Sequence, residues 1–225
     1  MCVCVFVNSI LFCQTMNRTN KKAGNVSDSK ANYFLCVRVT DPQVFTSIKE
    51  AIDWILDKDN QYEEFCYTPE MLHVTIREIC LETEEDIHRA SQALEESSDV
   101  LLNNLPVSQL QFKGLTTFFE KVLVADVQYE NDFRLFCETV TSKLKDAGVN
   151  VVERHEFKPH MTIMKVNTMR AKKAKVENIN PWLYVNLKKT YFGEQAVNSV
   201  HLCQMGYDRR EDGFYKTPAE IFFRS

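Results

Sequence analysis

From Asn32 onward, short apolar runs alternate with longer stretches in which apolar residues return every three or four positions. Tyr33 to Val39 predicts a strand, and Thr40-Asp41-Pro42 then offers an N-cap with proline at the first helical position. Phe45, Ile48, Ala51, Ile52, Ile55 and Leu56 keep the spacing of an amphipathic helix to about Asp57. A strand follows at about Leu72 to Cys80, and Thr83-Glu84-Glu85-Asp86 opens a second helix with an acidic first turn, expected to run to about Asn103. Strands at Gln109 to Lys113 and Val122 to Val127 flank Gly114-Leu115-Thr116-Thr117-Phe118-Phe119, which reads as a loop carrying aromatics. A third helix, about Asn131 to Ala147, stops at Gly148, the residue type favoured just past a helix end. Further strands are expected at Val149 to Arg154, His160 to Val166, Val200 to Tyr207 and Ala219 to Arg224. Strands and helices alternate, but not in strict β-α-β order, so the pattern predicts an α/β (α+β) fold of antiparallel or mixed sheets with helices outside. There is no glycine-rich phosphate loop, no G-x-S-x-G and no short-period repeat.

Ahead of this pattern, residues 14 to 31 are polar and aperiodic, and residues 1–31 read as a disordered or leader segment before a single domain over 32–225. Met1 to Phe12 is apolar, yet no basic residue precedes it and it falls far short of the ~20 residues of a membrane span. A secretion signal, lipid attachment at Cys2 or Cys4, and an extra strand or unstructured leader all stay open. At 225 residues and 26.2 kDa the chain can bury a proper core. Its net charge of −4 gives no overall basic field of the kind that holds duplex DNA, but a short oligonucleotide or mononucleotide needs only a few local donors. One basic patch, Arg170-Ala171-Lys172-Lys173-Ala174-Lys175, reads as a solvated charge run, a nuclear-import signal or a substrate-phosphate steering element. The eight cysteines are scattered without C-x-x-C and without histidines at ligand spacing, so neither a zinc site nor any other cofactor is expected. Read as reduced, they point to a cytoplasmic protein, with a nuclear location the alternative if the basic patch is an import signal.

The chemistry lies in two of the five histidines. Leu72-His73-Val74-Thr75-Ile76 and Pro159-His160-Met161-Thr162-Ile163 both read His-Φ-Thr-Φ, about half the chain apart. On a strand, alternate side chains share a face, so each His and its Thr point one way while Val74/Ile76 or Met161/Ile163 point into a core. Two similar lobes, each carrying one motif, would bring the polar pairs together across a cleft. Two imidazoles can serve as general base and general acid at once, and two hydroxyls can donate to non-bridging oxygens, which suits in-line attack at phosphorus without metal. A two-histidine zinc site would want a third ligand that neither motif supplies.

Paired H-x-T-Φ motifs are the signature of the two-histidine (2H) phosphoesterase superfamily, which this chain resembles. Asn32-Tyr33-Phe34-Leu35, Phe157-Lys158-Pro159-His160-Met161-Thr162-Ile163-Met164-Lys165, Pro181-Trp182-Leu183-Tyr184, and Tyr191-Phe192-Gly193-Glu194 followed by His201-Leu202-Cys203-Gln204-Met205 are similar to the phosphoesterase-like domain of the A-kinase anchoring protein seven family. The resemblance covers Asn32 to Ser225. It implies a bilobal fold in which two mostly antiparallel sheets form a nucleotide-binding cleft accepting adenosine or cytidine monophosphate. It also implies His73 and His160 as the acid/base pair, Thr75 and Thr162 on the phosphate, and Met161 and Ile163 beside the nucleotide through their backbone. Relatives cleave 2′,5′-linked oligoadenylates without metal. The anchoring proteins also carry an amphipathic helix that grips the regulatory subunit of protein kinase A. This chain runs out at Ile221-Phe222-Phe223-Arg224-Ser225 without one, so that partner is not expected.

The leading expectation is a metal-independent phosphodiesterase acting on short RNA-type substrates, 2′,5′-oligoadenylate or 2′,3′-cyclic phosphate ends. The alternative is a nucleotide sensor that binds adenosine or cytidine monophosphate with little turnover. Phe118 and Phe119 are candidate stacking platforms for the base, against the simpler reading that they cap the core.

Overall fold

The computed structural model describes residues 30–153, 156–206 and 208–223. The leader and the lipidation candidates Cys2 and Cys4 lie outside them. The elements run β1 (Tyr33–Arg38), α1 (Pro42–Lys58), β2 (His73–Cys80), α2 (Glu84–Glu96), α3 (Ser98–Leu102), β3 (Leu110–Phe118), β4 (Val122–Gln128), α4 (Asn131–Asp146), β5 (Asn150–Val152), β6 (His160–Lys165), α5 (Thr168–Ala174), β7 (Tyr191–Gln195), β8 (Ser199–Gln204) and β9 (Ala219–Phe222). The strands pair antiparallel in the order β7-β3-β4-β6-β2-β1-β8-β9, with β5 also on β2.

This sheet is two halves joined at their centre. Between β6, the last strand of one half, and β2, the first of the other, the ladder consists of the single pair Val74–Met161. Beyond it the two edges take different neighbours. β2 turns to β5 through Glu78 to Cys80, while β6 bridges to Cys66 through Met164 and accepts the Tyr67 backbone N–H at Ile163 O, 2.8 Å. The expected bilobal arrangement is therefore built from one single-pair seam within an antiparallel sheet.

Local chemistry sets the helices. Asp41 caps α1 by accepting from the N–H groups of Gln43 and Val44, with Pro42 at the first position. Thr83 and Asp86 form a reciprocal capping box on α2. The helices cross between halves: α1 follows β1 but packs on β7 of the other half, and α4 follows β4 but packs on β5 and α2. Val74, Ile76, Met161 and Ile163 are at most 2% exposed and share the main core with Ile48, Ile55, Phe133 and Phe136. Burial of each such side chain contributes roughly 1.5–3 kcal/mol, so both motif strands are held from behind.

Three features differ from the expectation. β3 does not stop at Lys113 but runs to Phe118, so Gly114 to Phe118 of the expected loop is strand; the turn is Phe119-Glu120-Lys121, between the paired Phe118 and Val122, with Phe119 and Glu120 at positive φ (52° and 56°). The second helix breaks at Ser97, whose hydroxyl donates to Ala93 O (2.6 Å), leaving the short α3 beyond it. β7 was hidden by Gly193 (φ +118°), needed because a Cβ there would come within 2.9 Å of Val44 Cγ2 on α1. The basic patch falls on α5 and the residue after it, with Lys172, Lys173 and Lys175 exposed.

Candidate active site

The seam positions the two motifs. Because Val74 pairs with Met161 antiparallel, His73 lies opposite Thr162 and Thr75 opposite His160. Each histidine thus neighbours the other motif's threonine, and all four side chains are half-buried on the face turned away from the main core.

Both imidazoles are oriented the same way. His73 Nδ1 donates to Met71 O at 2.7 Å, and His160 Nδ1 donates to Lys158 O at 2.9 Å, in each case the carbonyl two residues upstream. A carbonyl only accepts, so the proton of the neutral ring sits on Nδ1 and Nε2 is left with a free lone pair. Aromatic rings fix the imidazoles further. Phe34 lies 4.9 Å from the His73 ring centroid and Tyr215 meets it edge-on at 5.2 Å, while Phe118 meets His160 edge-on at 4.9 Å.

This enclosure shifts both groups. Burial drives the His73 pKa down to about 4, and the charges of His160, Arg209 and Lys165 push the same way, against the Met71 carbonyl. Burial also lowers His160, helped by Lys158 and Lys165 and opposed by the Lys158 carbonyl and by Asp126, its neighbour across β4 and β6. Among the described residues, no three His, Cys, Asp or Glu side chains cluster as a metal-ligand set.

The remaining candidates fall in different places. Phe118 is half-buried beside His160, whereas Phe119 is 91% exposed at the hairpin tip. Met161 and Ile163 turn their side chains fully into the core, leaving only backbone toward the seam, and the Ile163 carbonyl already accepts from Tyr67. A third strand histidine, His201, is 1% exposed and held between Ser199 Oγ (2.9 Å) and Glu220 (3.0 Å), a buried structural contact.

Residues 31–223 match the family described as the AKAP7 2′5′ RNA ligase-like domain. The chain belongs to this family. That membership places it in the two-histidine phosphoesterase superfamily. It is similar to human A-kinase anchor protein 7 isoform gamma, 26% identical over 211 residues that cover 91% of this chain and 61% of the relative, so the chain spans about three-fifths of that protein's length. The fold is shared with solved structures. Among them are the MHV ns2 PDE domain (TM-score 0.55, 15% identity, 79% of this chain and 100% of that one) and E. coli LigT complexed with 3′-AMP (TM-score 0.53, 14% identity, 87% and 99%). Among the described residues, no helix is long and apolar enough to cross a membrane.

Several residues around the family's histidines were not visible in the sequence. Lys165 has the wrong parity to share a face with Thr162, but a bulge leaves Ile163 without a partner in β4 and returns Lys165 to that face. Asp126 reaches the site only through β4 pairing, and Tyr67, Arg209 and Tyr215 only through long connections with no local motif. Tyr215 and Tyr67 share a hydrogen bond between their hydroxyls next to His73.

Proposed function

We propose that the protein cleaves short 2′,5′-linked oligoadenylates, or opens 2′,3′-cyclic phosphate ends, by metal-independent acid/base catalysis between His73 and His160. The observation that carries this reading is the crossed quartet at the seam, with both Nδ1 atoms committed to backbone carbonyls and both Nε2 atoms free of hydrogen bonds among the described residues. His73, the more strongly depressed of the two, takes the proton of the attacking hydroxyl or water. His160 delivers a proton to the leaving oxygen, and the negative phosphate between the rings favours holding that proton until the P–O bond breaks. Thr75 and Thr162 donate to the non-bridging oxygens as charge builds on them. The 2′,5′ linkage is supported by the family description, and the adenylate preference by LigT, solved with 3′-AMP and with ATP.

The test is a screen of labelled 2′,5′- and 3′,5′-linked oligonucleotides and cyclic phosphates in the presence of EDTA. Turnover of the 2′,5′-linked substrate should be unchanged by chelator. Inactivation by EDTA and rescue by zinc would sink the metal-free mechanism, and tight binding of adenosine monophosphate without turnover would favour a sensor.

Phe118 is proposed as the stacking platform, since it sits beside His160 and outside the main core. A base stacked on an aromatic ring gains about 1–3 kcal/mol, so Phe118→Ala should raise KM for adenylate substrates roughly tenfold or more with little change in Tm. Phe119→Ala should move KM far less. A large drop in Tm for Phe118→Ala would instead mark it as a packing residue.

A further inference from the structure

Each histidine is backed by an aromatic ring, and each ring carries a cation. On one side Arg209 Cζ lies 4.3 Å from the centroid of Tyr215, the ring that meets His73 edge-on. On the other, Lys158 Nζ lies 5.2 Å from the centroid of Phe118, the ring that meets His160 edge-on. The two arrangements come from unrelated parts of the chain, the β8–β9 connection and the approach to β6.

Neither cation is neutralised by an ion pair among the described residues. Arg209 is held by donating Nη1 to the carbonyls of Gly206 (2.8 Å) and Asp208 (2.9 Å), which fixes the guanidinium without cancelling its charge. The neighbouring Asp208 carboxylate is taken by Lys216 at 2.9 Å. Tyr215 is in turn braced by the Tyr67 hydroxyl. A guanidinium held by backbone and ring, with further N–H groups unused among the described residues, is prepared to grip a phosphate. Both cations also act electrostatically on the imidazole they flank.

We propose that the cleft holds two further phosphate subsites, Arg209 on the His73 side and Lys158 on the His160 side, which select oligonucleotides with phosphates flanking the cleaved one over a lone cyclic mononucleotide. This rests on the phosphodiesterase reading and narrows its substrate class. A mononucleotide end would fill the space between the histidines and leave both cations unused.

The experiment compares three 2′,5′-linked adenylates: the dimer with only its internal phosphate, the dimer with an added 5′-phosphate, and the dimer with an added terminal 2′-phosphate. The readout is the ratio of kcat/KM for each phosphorylated dimer to that of the plain dimer, which cancels general damage to the site. In the wild type each added phosphate should raise kcat/KM about tenfold, the scale of one hydrogen bond to a charged group. Arg209→Gln should abolish the gain from one terminal phosphate, Lys158→Gln the gain from the other, and Arg209→Lys should retain part of it. Ratios near one in the wild type, or ratios unchanged in both glutamine variants, would overturn the proposal. The same ratios measured as Kd by calorimetry need no turnover: phosphate-dependent binding without cleavage would leave the subsites standing and remove the phosphodiesterase reading.

Discussion

Replacing either His73 or His160 by alanine is expected to lower turnover of a cleavable 2′,5′-oligoadenylate by a factor of about 10² to 10⁴, the usual worth of one general acid or base. The fold should survive. Both side chains stand on the face away from the main core, and the strands that carry them are anchored by Val74, Ile76, Met161 and Ile163 on the opposite face. The double variant should be little worse than the worse single one, because an acid without its base, or the reverse, has already lost concerted proton transfer. Steady-state kinetics on the two singles and the double, with circular dichroism on each, decides the matter. Strictly multiplicative losses would mean that the histidines act independently.

Much of this site was legible because its central pieces are local. The His-Φ-Thr-Φ alternation sets the faces of β2 and β6 without any knowledge of their partners, and the caps at Asp41 and Thr83 mark helix starts within a few residues. Pairing is not local, and there the sequence is silent. Nothing near Lys165 signals the bulge, which depends on how β4 runs alongside β6. The Phe119-Glu120 turn lacks the Asn-Gly or Gly that normally announces two positive φ values, so the expected end of β3 falls five residues short of the real one. Tyr215 and Arg209 reach His73 because β8 and β9 pair next to β1, placing their connection beside the motif. His201 shows the converse: it too sits on a strand, but Ser199 and Glu220 occupy both of its nitrogens, and no threonine follows two positions later.

Lowering pH should weaken both folding and the proposed base through the same residue. In the folded protein His73 titrates at about 4, below the ordinary value of 6.5 that it recovers on unfolding. The unfolded chain therefore binds more protons between these values, and the neutral-His73 contribution is fully present above pH 6.5. It is lost progressively as pH falls through the window from 6.5 to 4, with little further change from this group below that. The loss amounts to roughly 3 kcal/mol. Urea unfolding at pH 7.5, 5.5 and 4 should show it, and His73→Gln should flatten that part of the slope while the carboxylates' share remains. In the proposed mechanism His73 must be neutral and His160 protonated; His160 is itself held below 6.5 by burial together with Lys158 and Lys165, with Asp126 in opposition. The kcat/KM profile should therefore be bell-shaped with its maximum between about pH 4 and 6.5. A bound phosphate raises both imidazoles, so the kcat optimum should lie at higher pH than that of kcat/KM. A kcat/KM maximum above pH 8, or identical profiles for the two parameters, would show that these histidines do not carry the proton transfers.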